Sequence, residues 1–187
     1  MQNNKMKDLS ELDRFETEHL ILRKARPDDM EYILKNVWSD ESISKYMLWK
    51  PTFTKEEAED RMKRTMNYQK SAAAYFVCLK ETDEPIGFCG IKEVSPGVYE
   101  DSGICIASRY QRHGYGKEMV KALLNIAFNL FGGKEFIYGC WKENTPSAAL
   151  AKSLGFKYTH SLDEVREWDG MKYTADYYLI TDLSQCH

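Results

Sequence analysis

The sequence predicts an α+β domain built on a mixed, mostly antiparallel sheet. Three short strand patterns separated by turns follow one another between residues 74 and 107, as in an antiparallel meander. A long amphipathic helix pattern then lies between two strand patterns, which is typical of a crossover between parallel strands. We expect about six or seven strands and about four helices, because 187 residues suffice for one such core.

The chain begins with a polar segment, residues 1–16, which we expect to form an N-terminal extension that could be a loosely attached helix. The single domain is expected to span residues 17–183. Its first strand is predicted over residues 19–25, "HLILRKA". A helix should begin at Pro27, because proline is tolerated in the first turn and acidic residues follow it.

The next helix is predicted from Thr54 to about Lys70, where Thr54 and Glu57 form a capping box. Residues 42–51 before it are expected to be irregular and are rich in large apolar side chains. The later elements follow from alternation, helical periodicity and glycine stops. They are strands over 74–80, 86–94, 98–107, 135–141, 156–162 and 172–181, and helices over 116–131 and 144–154.

Charge and hydropathy exclude several classes of function. The net charge of −3 gives no reason to expect nucleic-acid binding, which depends on basic side chains neutralising phosphates. No apolar run approaches the roughly 20 residues that span a bilayer, and the N-terminus lacks the apolar core of a secretory signal. We therefore expect a cytoplasmic protein that binds neither nucleic acid nor membrane, as a monomer or homodimer.

The cysteines are odd in number and contain no C-x-x-C pair. Four of the five lie in strand-like runs, so we expect reduced, mostly buried thiols rather than a metal site, a disulfide framework or a nucleophile. The five are Cys78, Cys89, Cys105, Cys140 and Cys186.

Gly114 and Gly116 precede the long helix of residues 116–131. Without Cβ atoms at this point, an anion such as a pyrophosphate can lie on the unpaired N–H groups of the helix start. The alternative is that they only turn the chain. The pattern is not a Rossmann fingerprint, because Met119 stands at the third glycine position, and Glu118 and Gln111 break a Walker A pattern.

What the segment does resemble is the acyl-CoA signature of the GNAT superfamily of N-acyltransferases. "ICIASRYQRHGYG" carries the Q-x-x-G-x-G pattern, and "ENTPSAALAKSLGF" is similar to the superfamily's second signature. "TEHLILRKARPDD" and "DEPIGFCGI" look like its first strand and central hairpin. The resemblance covers about Thr17 to Thr181, and the closing "EWDGMKYTADYYLI" is most like the branch of ribosomal-protein N-terminal acetyltransferases.

The resemblance implies an acetyl-CoA site at a splayed pair of strands. Backbone amides of the glycine loop would hold the pyrophosphate, the strand before it would pair with the pantetheine arm, and Asn144 and Lys152 would add contacts. The cofactor-binding residues implied in this way are Ile104, Cys105, Ile106, Gln111, Arg112, His113, Gly114, Tyr115, Gly116, Lys117, Asn144 and Lys152.

The resemblance also implies catalytic groups. Many superfamily members place a thiolate-protonating Tyr where this chain has Ala151, whereas the branch uses a Ser, here Ser147. Ser147 could instead only satisfy the helix start. Asp101 and Glu100 are candidate bases that face opposite sides of a strand, so only one can point at the substrate.

The closing hairpin departs from the branch pattern. Counting places Arg166 where the branch has a Glu, with Glu164 and Glu167 nearby, and Thr174 stands where an Asp is common. The base is therefore left open among the carboxylates.

Substrate selection is expected to involve aromatic and apolar side chains of residues 46–53 and of the closing hairpin. Met47, Trp49, Trp141 and Trp168 are the candidates. Plain core packing is the alternative interpretation of residues 46–53.

The sequence thus predicts an acetyl-CoA-dependent N-acetyltransferase that acts on a primary amine by direct transfer in a ternary complex. A peptide or protein N-terminal amine is the first choice, because its pKa of about 7.7–8 leaves it partly neutral at pH 7. A small amine such as a polyamine, amino acid or aminoglycoside is the alternative. A longer acyl chain and an inactive CoA-binding module are further alternatives.

Overall fold

The computed structural model describes residues 13–185 and folds them around one mixed sheet in the order β1-β2-β3-β4-β5-β7-β9-β8, with β6 paired to β4. The strands are β1 (Arg14–Glu16), β2 (Leu20–Arg23), β3 (Ala73–Leu79), β4 (Pro85–Ser95), β5 (Val98–Asp101), β6 (Cys105–Ile106), β7 (Glu135–Trp141), β8 (Lys157–Val165) and β9 (Lys172–Ile180). The helices are α1 (Met30–Ile33), α2 (Glu41–Ser44), α3 (Lys55–Gln69), α4 (Tyr115–Asn125) and α5 (Thr145–Ser153). π-helical turns extend α1 over Leu34–Trp38 and α4 over Ile126–Leu130.

The predicted α+β class, with a mostly antiparallel sheet, is confirmed. Within residues 13–185, β5 and β7 are the only strands that pair in parallel, and α4 makes the crossover between them. The strand expected over 98–107 is wrong as one element, because the chain leaves the ladder after Asp101 and re-enters it as β6.

The helix expected in the N-terminal extension is wrong for residues 14–16. Arg14–Glu16 form β1, which pairs antiparallel with β2, because Phe15 packs edge-on against Tyr75 of the sheet. The rest of that extension, residues 1–12, lies outside the described residues, as does Cys186.

Two apolar layers cover the two faces of the sheet. On one face, α4 buries Met119, Val120, Leu123 and Leu124, which follow the helical period predicted from the sequence. On the other face, α3 and the α1 segment bury a second cluster that includes Met62. These layers fix the sheet, and the site lies where its central strands separate.

The predicted helix starts are confirmed in atomic detail. The Thr54 hydroxyl accepts from the Glu57 N–H, and the Glu57 carboxylate accepts from the Thr54 N–H, which is the reciprocal capping box. The Asn144 side chain accepts from the Ser147 N–H and starts α5. Among residues 13–185, no helix combines the length and apolar character needed to cross a membrane.

Candidate active site

The site begins where β5 and β7 stop pairing. Their parallel ladder runs from the Val98–Glu135 pair to the Glu100–Ile137 pair and then ends. Beyond it, β6 pairs only with β4, through Gly87 and Phe88. Because β6 has no strand partner on its other side, a gap opens between β6 and β7.

This gap continues into a groove of about 540 Å³ that runs to the start of α4. Most of the predicted cofactor-binding residues line it, together with Ser147 and Met47. Those residues are Ile104, Cys105, Ile106, Gln111, Arg112, Gly114, Gly116, Lys117 and Asn144. The groove therefore joins the two sequence signatures, which lie on either side of β7.

At one end of the groove, the loop before α4 presents bare backbone. Gly114 is the N-cap in the left-handed conformation, with φ of 87°, and no side chain caps the helix. A Cβ on Gly114 would meet nothing within 4 Å. Arg112 also has a positive φ, of 65°. Consecutive N–H groups in such a turn, with the helix dipole behind them, form a site for a phosphate.

The exposed backbone of β6 lies further along the groove. The Ala107 N–H donates to Ile86 of β4 at 2.7 Å, whereas the Ile106 carbonyl accepts from the Gln111 side chain at 2.9 Å. Because backbone groups alternate in direction along a strand, the Ile106 N–H points away from β4 and toward the gap. That N–H is placed to pair with an extended ligand or to polarise its carbonyl group.

Asp101 bridges the gap at the point where the strands separate. Its Oδ2 accepts from the Gly139 N–H of β7 at 2.8 Å, and its Oδ1 accepts from the Gly103 N–H at 3.2 Å. Burial raises the pKa of this carboxyl group to about 6, although the two N–H donors oppose the shift. At pH 7 the group is mostly ionised and can accept a proton.

Ser147 belongs to a buried cluster of hydroxyl and thiol groups. Its Oγ lies 2.8 Å from the Tyr138 hydroxyl oxygen and also hydrogen-bonds with Cys140. Tyr138 lines the groove, and burial raises its pKa, so it stays protonated. Sequence analysis missed Tyr138, which directly follows Ile137, the last β7 residue that pairs with β5.

A second cavity, of about 610 Å³, lies on the side of the sheet covered by α3. Its walls include Trp38 and Trp49, the α3 side chain Arg61, and the Ser102–Gly103 turn that follows Asp101. The residues that follow Asp101 reach both cavities, since Ser102 and Gly103 line the second cavity and Ile104 lines the groove.

Several predicted site residues lie elsewhere. Glu100 pairs with Lys92 across the strands at 3.2 Å, and Lys152 is exposed and faces Tyr178. His113 stacks on Tyr115, and neither residue is among those that line the groove.

The four residues predicted to contact the substrate lie in different places. Trp49 lines the second cavity, whereas Met47 lines the groove rather than the expected acceptor pocket. Trp141 stacks on Tyr173 at 4.0 Å and lines neither cavity. Trp168 is exposed in the β8–β9 turn and also lies outside both cavities.

Arg166, at the position where the sequence comparison expected a Glu, has a structural role. Its Nη1 donates to the carbonyl groups of Ser44, Lys45 and Met47, and its Nε donates to Asp169 at 3.0 Å. The side chain therefore fixes the turn after α2, which covers the groove.

The four cysteines among residues 13–185 are free and buried, as predicted. Burial raises the pKa of the Cys140 thiol to about 11 and that of Cys105 to about 12. These thiols are therefore protonated at neutral pH and are poor nucleophiles.

The sequence is similar to those of known acetyltransferases. The model of a family described as an acetyltransferase (GNAT) domain matches residues 19–157. A Bacillus licheniformis protein named "Uncharacterized N-acetyltransferase p20" is 30% identical over 144 residues, which cover 75% of this chain and 80% of that protein.

Solved structures have the same fold. A "putative ribosomal-protein-serine acetyltransferase" from Vibrio cholerae aligns with a TM-score of 0.77 and 25% identity, over 90% of this chain and 97% of that one. The microcin C7 self immunity acetyltransferase MccE, in complex with acetyl-CoA and AMP, aligns with a TM-score of 0.73 and 19% identity, over 89% and 94% of the two chains.

Proposed function

The chain belongs to the GNAT acetyltransferase family, and we propose that it acetylates a primary amine by direct transfer, with Asp101 as the base. The observation that carries this proposal is the place of Asp101, a partly buried carboxylate at the point where β5 and β7 separate, directly before the Ser102–Gly103 turn that lines the second cavity. A base in that position can take a proton from an amine in one cavity as it attacks an acyl group in the other.

The groove residues suit acetyl-CoA, which enzymes of this family use. Bare N–H groups at the start of α4, with Arg112 and Lys117 beside them, would hold the pyrophosphate. The Ile106 N–H would hydrogen-bond to the acetyl carbonyl group. When bound, acetyl-CoA supplies a thioester whose carbonyl carbon can be attacked by a neutral amine.

In this proposal, the protons are transferred by Asp101 and by the Ser147–Tyr138 pair. Asp101 accepts a proton from the amine as the new C–N bond forms. Ser147 donates a proton to the sulfur as the C–S bond breaks, and Tyr138 can replace that proton through their 2.8 Å hydrogen bond. The proton taken by Asp101 then passes to solvent and a proton from solvent restores the Tyr138 hydroxyl group, so the net products are an amide and a thiol.

The second cavity is the acceptor site in this proposal, with Trp49 in its wall. The first acceptor class predicted from the sequence, a peptide or protein N-terminal amine, is supported by the name of the Vibrio cholerae protein. A small amine is the other class. Both classes present a primary amine, so the role of Asp101 is the same for either.

The test is the Asp101→Asn variant, with Glu100→Gln as the matched control on the opposite face of the same strand. We expect loss of a general base to lower kcat by roughly 10²–10⁴-fold. Because the raised pKa is about 6, wild-type kcat/KM should fall as the pH drops through about 6, and the variant should lose this limb.

Release of free CoA thiol from acetyl-CoA and an amine panel measures both quantities. Calorimetric titration with CoA shows whether each variant still binds the cofactor. If Asp101→Asn keeps its kcat and its acid limb, Asp101 is not the base. If acetyl-CoA binds and no amine on the panel is acetylated, the proposed transfer itself is wrong.

A further inference from the structure

The second cavity contains a cation that has no acidic partner. Arg61 of α3 lies against two indole rings, with its guanidinium carbon 4.6 Å from the centre of Trp38 and 4.1 Å from that of Trp49. Its hydrogen bonds to residues 13–185 all come from Nη1, to the Thr52 hydroxyl at 2.9 Å and the Lys50 carbonyl group at 3.4 Å. Within the same residues, no carboxylate lies within 4.0 Å of this guanidinium.

The two nearby carboxylates have other partners. Asp60 pairs with Arg64 at 3.1 Å, one turn along the same helix. Glu57 accepts from the N–H groups of Phe53 and Thr54 in the capping box. Both acids line the cavity, yet neither neutralises Arg61.

An unpaired guanidinium in a pocket is costly, because burial removes water without supplying an opposite charge. Burial, together with repulsion from Arg64, lowers the pKa of Arg61 to about 10, so it remains charged at neutral pH. Three properties of this guanidinium suit it to bind a ligand. It keeps its charge, two indole rings hold its plane, and Nε and Nη2 remain as hydrogen-bond donors.

A second polar atom of the same wall is also unsatisfied. The Trp49 Nε1–H is buried and has no hydrogen-bond partner among the described residues. Trp49 is the residue whose ring lies on Arg61, so the two donors belong to one small region of the cavity. Buried donors without a hydrogen-bond partner are rare in native proteins.

The wall of this cavity also includes the Ser102–Gly103 turn, which directly follows Asp101 in the chain. We infer that the acceptor is a small primary amine that carries a carboxylate, which binds Arg61 while the amine faces Asp101. This inference rests on the proposed function, since it names the acceptor class of the same reaction. A carboxylate accepts two parallel N–H bonds from a guanidinium, which fixes the orientation of the amine.

The test compares matched pairs of amines. Each proteinogenic amino acid, and each ω-amino acid of one to five methylene groups, is assayed beside its own carboxamide, together with polyamines and short peptides. Acetyl-CoA turnover is followed by thiol release. A neighbouring carboxylate raises the pKa of an amine, so the carboxamide has the larger neutral fraction. A preference for the acid therefore reports recognition of the carboxylate and not amine reactivity.

The variants are Arg61→Gln and Arg61→Lys, with Lys63→Gln as the control. Lys63 is exposed on the same helix and is not among the residues that line the cavity. We expect Arg61→Gln to lower kcat/KM for the preferred acid by roughly 10- to 100-fold, as for a lost charged hydrogen bond. The value for its carboxamide should change by less than about threefold, and Arg61→Lys should restore part of the loss.

Each outcome decides one question. The inference is supported if an acid is preferred over its carboxamide by about tenfold or more and Arg61→Gln removes the preference. It is overturned if carboxamides, polyamines or peptides are acetylated as well as the acids, in which case the transferase function still stands. If no amine is acetylated although acetyl-CoA binds, the proposed function fails first. Should both Arg61 variants fail to fold, the wild-type comparison of acid and carboxamide still decides.

Discussion

At the scale of single residues, the site depends on how burial changes ordinary side chains. Burial raises the pKa of Asp101 to about 6, while two backbone N–H groups favour its ionised form, as the proposed role of a base requires. Burial also raises the pKa of Tyr138, and its hydroxyl group therefore stays protonated. The strand gap therefore contains the carboxylate proposed as the proton acceptor and a hydroxyl group that stays protonated.

The hydroxyl pair gives a prediction at this scale. Ser147→Ala should lower kcat by roughly 10²-fold or more, because it removes the group proposed to protonate the thiolate. Tyr138→Phe should cause a smaller loss, since it removes only the hydroxyl behind Ser147. If the two act as one relay, the double variant should be no worse than Ser147→Ala alone. Additive losses, measured as kcat at saturating acetyl-CoA, would contradict the relay.

At the scale of elements, the gap exists because β6 is held to β4 and not to β7. Gly87 of β4 permits this contact, since a Cβ on it would lie 2.1 Å from the Cys105 carbonyl oxygen. A glycine in a strand often marks such a close approach of two backbones. The short β6 strand thus stays in the sheet, with its free edge toward the cofactor groove.

Gly87→Ala is predicted to force β6 away from β4. We expect the free energy of unfolding in urea to fall by about 1–3 kcal/mol, as for other overpacked sites. The control is Gly116→Ala, whose Cβ would meet Leu150 at an ordinary 3.5 Å. That change should be neutral or slightly stabilising, because alanine favours helix. Equal effects of the two substitutions would show that the Gly87 contact does not limit the strand.

At the scale of the whole molecule, a buried charge network joins parts that are distant in the sequence. Arg23 of β2, only 3% exposed, donates to both oxygens of Asp29 at 2.7 Å, and its Nε donates to Asp83 at 2.7 Å. Asp29 lies before α1 and Asp83 lies in the β3–β4 turn. The network therefore fixes the first helix against the edge of the sheet.

Arg23→Met is predicted to destabilise the domain strongly, because it leaves Asp29 buried without its partner. We expect a loss of about 3–5 kcal/mol in the free energy of unfolding. The control is Arg14→Met, which removes an exposed pair with Glu16 and should cost at most about 1 kcal/mol. Urea denaturation measures both, and a loss from Arg23→Met as small as that from Arg14→Met would be the contrary result.

The order and type of most elements followed from the sequence, because local signals fix them. The capping box at Thr54, the Asn144 cap and the apolar stripe of α4 all lie within one helix each, so a few neighbouring residues specify them. The glycine loop and its place before α4 were predicted for the same reason. The break after Asp101 was missed, because the residues on both sides of the short polar run 100–103 favour a strand.

The sequence by itself determined the class of fold, the family and the backbone loop suited to a diphosphate. Tertiary structure alone decided that Asp101 accepts from two backbone N–H groups at the strand gap, that Tyr138 meets Ser147, and that Arg61 has no acid within 4.0 Å among residues 13–185. The physical reason is that pKa, burial and charge pairing depend on what the fold places around a group. Those neighbours come from strands and helices far apart in the chain, and no local pattern specifies them.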